Sequence, residues 1–593
     1  MSVCCGDGGP ANAPLSDTGQ PVSDGVEKLK RTPPVLSEVY PERAMWFVDN
    51  ELVKVQGKAS PGTAPISQVK INGEPASFDG TAFSFAPAVL PGVNVVNLRA
   101  ESEDGERVVD GRSFFHGDVH APGAVIDNAV QIHLSKTFLD DNDPELDDVA
   151  GIAEWFLTDP AFLSSIDSAI ETDVAMLTPT LVTIEAASID LTPANAALHV
   201  TCALTAFHVS LHVEGLGGLG DLIAGPATMD VSVANLTVAL KFITEDGVLK
   251  IEPTFSKLKF TDFVLATENY PNLKENYPSL HDLMRGYIES KMSDTIGSMI
   301  AELLSSFLGG FAYKTTFGDE NPVSVSFTMA GVKAASHGLN LNLSALVSSS
   351  LGLSGALPLK FGSLKTDNAV LNDEFSDEPI AFAIDDDLLN QLTFAMWHSG
   401  SLSDRVFEGE ELKALGSESF PEVFQPLTRI SYSTHLPLTV GVRTLKADEL
   451  LYDIALGELE LLLESSTGKR FSLSFNARTG VNVVVSEDGM LMLQPDIRPK
   501  YMDLAVACTE APPGIDLGSV AALLRLGFPP LLKKAGSAFS FPMIGLSLDA
   551  LMDSDLLKAK ELKFIELKSR IAGPEKLILV LEGAAVFQAK TQD

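Results

Sequence analysis

Cysteine, basic charge and long apolar runs are all scarce in this chain. There are 4 cysteines in 593 residues, and none forms a CxxC pair or a Cys/His cluster with metal-ligand spacing. Cys202 and Cys508 sit in alternating strand patterns, where a lone thiol acts as a small buried apolar group. No uninterrupted apolar run reaches about 18 residues, so no transmembrane helix is expected. Lys and Arg number 42 against 79 Asp and Glu, a formal charge of −37. That balance excludes phosphate-backbone binding, which needs basic residues. It also excludes docking on anionic membranes by charge alone. We read it as a solvating surface charge.

Catalytic motifs are missing too. The sequence has no G-x-S-x-G elbow, H-E-x-x-H, P-loop or G-x-G-x-x-G before a helix, so no enzyme activity is expected. His199, His208 and His212 lie on strands without an obvious Asp or Ser partner. The acidic run Asp140–Asp148 has carboxylates enough for Ca²⁺ but lacks the spacing and glycine of a calcium loop. Its simpler reading is an acidic helix start. No cofactor or metal is expected.

What is present begins with a segment that occurs twice. Ile243–Pro253 reads ITEDGVLKIEP and Val485–Pro495 reads VSEDGMLMLQP, 242 residues later. Both centre on Glu-Asp-Gly, whose Asp and Gly accept the positive φ of a tight hairpin. Ala129–Ser135 and then a helical pattern near Leu146–Ile170 precede the first copy. Ala381–Asp387 and Leu388–Trp397 precede the second. An apolar helix follows each, Ser279–Leu308 and one from about Ile515. Repetition of element order as well as of the local string points to a duplicated domain. Chance recurrence of D-G turns in a strand-rich chain is the competing reading.

Mean hydropathy is +0.17 and 45% of residues are hydrophobic, with aromatics only 7%. Without a membrane span, that apolar surface must line cores or cavities. Residues 1–40 are rich in Gly, Pro, Ser and Asp and read as a disordered tether. Cys4 and Cys5 at its start resemble the region after a bacterial lipoprotein cleavage site, although no basic and apolar leader precedes them. The lipoprotein reading implies an N-terminal lipid anchor and a periplasmic, extracellular or outer-membrane-tethered location. Residues 41–118 carry short alternating strands split by Gly, Pro and Asp, a β-sandwich pattern. Their order resembles immunoglobulin-like modules of bacterial surface proteins. Trp46 is expected to cap that core.

In the first repeat, Leu198, Val200, Cys202 and Leu204 alternate in one phase, and Phe207, Val209, Leu211 and Val213 in the other. A flip of phase needs a bulge, a strong twist or a break into two short strands. The helix Ser279–Leu308 carries a stripe including Met284, Ile288, Met292, Ile296, Ile300 and Leu303, and Gly309-Gly310 is placed to cap its end. The stripe serves either as ordinary core or as one wall of a lipid-sized gap.

Three further stretches carry a family resemblance. They are EPIAFAIDDDLLNQLTFAMWHSGSL (Glu378–Leu402), RFSLSFNARTGVNVVVSEDGMLMLQP (Arg470–Pro495) and the helix-plus-strand stretch Gly514–Leu548. With the tandem arrangement, they resemble the tubular lipid-binding superfamily of bactericidal/permeability-increasing, lipopolysaccharide-binding and cholesteryl ester transfer proteins, over about residues 123–588. The resemblance implies an α+β fold of two elongated barrels, at 119–320 and 321–593, each a curved antiparallel sheet wrapped on a long helix. It implies a bound phospholipid or other acyl lipid, held without catalysis, with lipid transfer as an extension. The lining would be the stripe named above, plus Phe394, Trp397, Leu523, Leu524 and Phe528. The chain lacks the disulfide of the animal members and the basic tip of the endotoxin binders. Lipid binding carries over and endotoxin binding does not. A structural or surface-interaction protein with filled cavities is the alternative.

Overall fold

A computed structural model describes residues 31–48, 51–142, 148–163, 169–172, 175–218, 221, 223–317, 321–349, 361–366, 379–400, 405–414, 424–446, 449–485, 490–496, 502–510, 540–542, 560–571 and 578–589. The fold is mixed α+β and mostly strands. Cys4, Cys5, Leu523, Leu524 and Phe528 lie outside the described residues.

Nine strands come first: β1 (Val35–Tyr40), β2 (Met45–Phe47), β3 (Val55–Ser60), β4 (Ile66–Ile71), β5 (Glu74–Pro75), β6 (Ser77–Phe78), β7 (Ala82–Phe85), β8 (Gly92–Ser102) and β9 (Arg107–His116). They form a four-stranded sheet, β1-β3-β7-β6, and a five-stranded one, β2-β9-β8-β4-β5. Phe47, Val55, Ile71, Phe83, Leu98 and Phe114 form one core cluster drawn from both sheets. Strand β1 falls inside the stretch read as tether. Val35, Leu36, Ser37 and Tyr40 pair it with β3, so order begins before residue 41.

Next come β10 (Val119–His120) and β11 (Val125–Ser135). A first curved sheet follows: β12 (Ile170–Glu171), β13 (Ala175–Thr183), β14 (Ala186–Ala194), β15 (Ala197–Gly215), β16 (Gly225–Glu245), β17 (Val248–Thr261) and β18 (Val264–Thr267). Its order is β12-β13-β15-β16-β17, with β14 also on β15 and β18 also on β16. After the long helix Pro278–Gly309 come β19 (Lys314–Phe317), β20 (Val323–Ala335), β21 (Gly338–Ser349), β22 (Ser363–Leu364) and β23 (Ile380–Asp385). The second sheet has β24 (Arg405–Glu408), β25 (Leu427–Thr434), β26 (Thr439–Lys446), β27 (Glu449–Ser465), β28 (Arg470–Val485), β29 (Met490–Asp496), β30 (Met502–Glu510) and β31 (Ser540–Pro542). The chain closes with β32 (Lys560–Ile571) and β33 (Ile578–Ala589).

The second sheet runs β24-β25-β27-β28-β29-β31, with β26 on β27 and β30 on β28. From β24 to β30 this is the pairing pattern of β12 to β18. The two Glu-Asp-Gly segments span the β16–β17 and β28–β29 junctions, at matching places in their sheets. In the first, Glu245 pairs with Val248, and Asp246 and Gly247 both take positive φ, 53° and 78°. Between the curved sheets lies a seven-stranded one, β19-β20-β21-β11-β23-β33-β32. At its centre β11 pairs antiparallel with β23, Ile132 facing Phe382. Outward from that pair, each side adds one hairpin, β21–β20 or β33–β32, and the short β19 extends the first side. The arrangement is pseudo-twofold.

The phase flip is resolved as a continuous strand. Ala206 adopts φ 49° between buried Leu204 and Phe207. Thr205 still pairs with Val233 and Phe207 with Val231, so both strands switch faces together and register carries through. One irregular residue keeps a long strand's apolar face inward while the sheet bends.

The N-terminal module is fastened to the second sheet. Arg43 donates to Gly111 O (2.7 Å), Glu458 Oε2 (2.9 Å), Ser474 Oγ (2.9 Å) and Asp110 Oδ1 (2.5 Å). Glu458 Oε1 accepts from Ser113 N at 2.6 Å. Burial works against the Arg43 charge, but Glu458 and Asp110 outweigh it and raise its pKa. Gly457 allows the approach, since a Cβ there would stand 2.4 Å from Ser113 Oγ. Trp46 stacks on Phe115 with centroids 4.0 Å apart, in a cluster with Leu364, Leu436 and Ala455. It seals the seam between module and sheet.

Candidate functional site: an apolar cleft under the long helix

The helix Pro278–Gly309 has 32 residues and lies along β17, the last strand of its sheet. Polar side chains fasten it there. Glu289 Oε1 accepts from Phe260 N at 2.8 Å, and Arg285 Nη2 donates to Phe260 O at 2.6 Å. Ser256 Oγ bonds Ser293 O at 2.7 Å, and Ser305 Oγ donates to Leu249 O at 2.9 Å. These bonds satisfy edge-strand groups that would otherwise be exposed. At Gly297 the helix comes close, a Cβ there meeting Ser256 Oγ at 3.0 Å. The helix does not end on a left-handed glycine as expected. Gly310 is right-handed, φ −61°, with its N–H shared among the carbonyls of Ser306, Phe307 and Leu308.

Another face of this helix borders a cleft. Ile288, Met292, Thr295, Ile296 and Met299 form its helical wall, and residues of β13, β15 and β16, among them Leu177, Phe207 and Met229, form the sheet wall. Leu157 and Leu163, from the short helices Val149–Thr158 and Pro160–Leu163, close one side. Among the described lining residues, Thr295 alone has a side chain that can donate a hydrogen bond. The free space is about 50 Å³, less than twice the share of liquid volume of one water, about 30 Å³.

The sequence-derived lining residues divide. Ile288, Met292 and Ile296 lie on the cleft. Met284 and Ile300 are buried in the surrounding core, and Leu303 packs against it. Phe394 and Trp397 are buried on the helix Asp386–His398, with ring centroids 5.6 Å apart. Trp397 Nε1 donates to Thr434 O at 2.9 Å. That helix is further pinned by Asn390, whose Nδ2 donates to Val440 O (2.9 Å) and whose Oδ1 accepts from Val440 N (2.8 Å).

The described ends of the acidic run, Asp140–Asn142 and Asp148, are used for local bonds. Asp148 caps its helix through Gly151 N (2.6 Å) and accepts from Asp141 N (2.8 Å). Asp140 accepts from Leu191 N at 2.9 Å. Burial, assisted by the charges of Asp141 and Asp140, pushes the Asp148 pKa up to about 6 against the two backbone bonds. A carboxyl with a raised folded pKa binds its proton more tightly folded than unfolded. Its contribution to stability therefore falls as pH rises from about 4 to 6. Asp148→Asn should gain in Tm relative to wild type between pH 4 and pH 7. A variant-minus-wild-type difference that is flat with pH would contradict this.

A second polar cluster lies at Asp385–Asp387, where the helix begins at Asp386, two residues before the Leu388 start that the sequence pattern suggests. All three aspartates are buried, with 3%, 1% and 0% exposure. One carboxylate oxygen from each lies within 4.8 Å of the others. Asp387 Oδ2 meets His120 Nε2 at 2.8 Å, and its Oδ1 accepts from Thr366 N at 2.7 Å and Thr366 Oγ1 at 3.0 Å. Asp386 Oδ1 also accepts from Thr366 Oγ1, at 2.8 Å. Asp385 Oδ1 accepts from Asp387 N at 2.8 Å. Burial, then the neighbouring carboxylates, raise the Asp386 pKa well above its ordinary value. Burial and the charge of Asp387 push Asp385 up to about 7, against the Asp387 N–H and His120. The one sequence signal was three successive Asp at the end of an apolar strand.

No family model and no curated protein matches the chain. Among solved structures it is similar to a lipopolysaccharide binding protein at 14% identity and TM-score 0.39, over 78% of this chain and 99% of that one. It is similar to P47 of Clostridium botulinum E1 at 9% identity and TM-score 0.24, over 78% and 100%. CopC from Methylosinus trichosporium OB3b matches at 17% identity and TM-score 0.12, over 14% and 93%. The likeness to the first is distant and at the level of the fold.

Proposed function

We propose that this chain is a non-catalytic binder of acyl lipid, built as an immunoglobulin-like module followed by two tandem helix-and-sheet barrels. The cleft under Pro278–Gly309 would receive the acyl chain. The observation that carries this reading is the chemistry of its wall, whose described residues are all apolar except Thr295. Such a wall has little to offer a polar ligand and much to offer a hydrocarbon. Each methylene moved from water into it is worth about 0.8 kcal/mol. The free volume is too small for a chain without rearrangement. Met292 and Met299 are the side chains suited to give way, being unbranched and rotatable.

The second reading is a structural protein with a filled interior. The small free volume and the complete burial of Met284 favour it. Native mass spectrometry and organic extraction of the purified protein discriminate the two. The binding reading expects co-purified acyl lipid at up to one molecule per occupied barrel. Absence of bound lipid, together with failure to take up a fluorescent fatty acid or phospholipid from vesicles, would favour the structural reading.

A further inference from the structure

We propose that Asp385, Asp386 and Asp387, with the Ser363 hydroxyl, form a site for one divalent cation of calcium type at the seam between the ribbon β10–β22 and the helix Asp386–His398. Three observations lead there.

The first is distance. Ca²⁺ binds oxygen at about 2.3–2.6 Å, so two oxygens on opposite sides of the ion are about 4.6–5.2 Å apart. One oxygen from each aspartate falls within 4.8 Å of the others, a spread that a single ion spans. Magnesium is a poorer fit, since it demands a tighter octahedron and keeps several waters, for which a fully buried cluster leaves little room.

The second is a pair of buried oxygens that no donor satisfies among the described residues. Among the described residues no nitrogen or hydroxyl donor reaches the buried Asp386 Oδ2, which has only the Asp385 carboxyl beside it, and the buried Ser363 Oγ has no partner. Ser363 is 2% exposed and stands directly across from His120 in the antiparallel ribbon. Residues directly opposite in such a pair project from the same face. That is the face on which His120 reaches Asp387, so the serine hydroxyl is aimed at the acid cluster. A buried, unpaired oxygen costs free energy unless something satisfies it. A hard cation satisfies both.

The third is a comparison within the chain. By the pseudo-twofold of the central sheet, the end of β11 corresponds to the end of β23. There Ser135 caps the next short helix through Phe138 N at 3.2 Å, and Lys136 and Thr137 follow. In the second repeat Asp385 does the capping through Asp387 N. Capping thus needs one side chain, and the two further carboxylates, which Thr366 and His120 engage only in part, are additional to it. Three carboxylates face one imidazole, and the adjacent Lys365 is exposed. Because Leu364, next to Ser363, packs with Trp46 and Phe115, an ion here would also stiffen the join to the N-terminal module.

The test uses the full chain stripped with EDTA. Equilibrium dialysis against ⁴⁵Ca²⁺ in 0.15 M KCl, with excess Mg²⁺ to suppress binding by surface charge, should give one saturable site. Thermal unfolding should shift upward by several degrees with CaCl₂ and not with added KCl. Asp386→Asn should abolish both effects, while Asp148→Asn keeps them. Ser363→Ala, a milder change should Asp386→Asn not fold, should weaken binding at least tenfold. Absence of a saturable site in the wild type overturns the proposal, as does unchanged affinity in the variants. A Tm that rises between pH 8 and pH 6 in EDTA yet ignores calcium also overturns it, because the cluster then holds protons.

Discussion

Arg43→Ala should loosen the N-terminal module from the second sheet and lower stability by an amount at the low end of about 3–5 kcal/mol, the usual range for orphaning a buried charge. Glu458 is the charge left behind. Its side chain is 1% exposed against 30% for Arg43. Water can therefore reach the vacated arginine position in part, which sets the effect below the top of the range. Ser113 N and Ser474 Oγ would remain as donors to the carboxylate, and neither carries a positive charge. Glu458→Gln should cost less, since it removes the buried charge together with its need for a partner. Chemical denaturation and limited proteolysis of wild type and both variants measure this. A loss below about 0.5 kcal/mol for Arg43→Ala would class the pair with surface ion pairs and leave the Trp46–Phe115 cluster as the main fastening.

That network shows where sequence reading stops. Arg43 and Glu458 are 415 residues apart, and no periodicity links them. The same limit hid the acid cluster, whose partners are His120, in a two-stranded ribbon too short to give a pattern, and Thr366, just past its second strand. Local chemistry was legible. The stripe and flanking glycines placed the long helix within one residue of its observed ends, Pro278 and Gly309. The Asp-Gly pair placed the hairpin at Asp246-Gly247. Alternation placed the irregularity next to Leu204, where Ala206 takes its positive φ. The repeated string led to two matching sheets because hairpin turns are local, and local order is what a sequence writes most plainly. Which members of the stripe border the cleft was not legible. Met284, Ile288, Ile296 and Ile300 all lie on one face, and the sheet's curvature decides which of them meet empty space.

Ile296→Asn should leave the protein folded while stripping bound lipid. Ile296 is 6% exposed and lines the cleft, so its amide would project into a space that water can enter. The stability loss should then stay near the lower end of about 1–3 kcal/mol for an imperfectly satisfied polar group. An acyl chain competing with that hydrated amide loses its apolar contact, and lipid recovered by extraction should fall at least tenfold. Ile300→Asn supplies the control on the same helix. Ile300 is 1% exposed and belongs to the core beside the cleft, so its amide would meet packed side chains. The substitution should cost the unpaired group plus lost packing, more than the Ile296 change by about 1–2 kcal/mol. The pair of variants decides between the two readings because only the environment differs between them. Equal losses of stability at both positions, with no lipid in the wild type, would mean that the cleft is closed core and that the chain is a structural protein. A mild loss at 296, a severe loss at 300 and depletion of lipid at 296 are the combination that a ligand-admitting cleft requires.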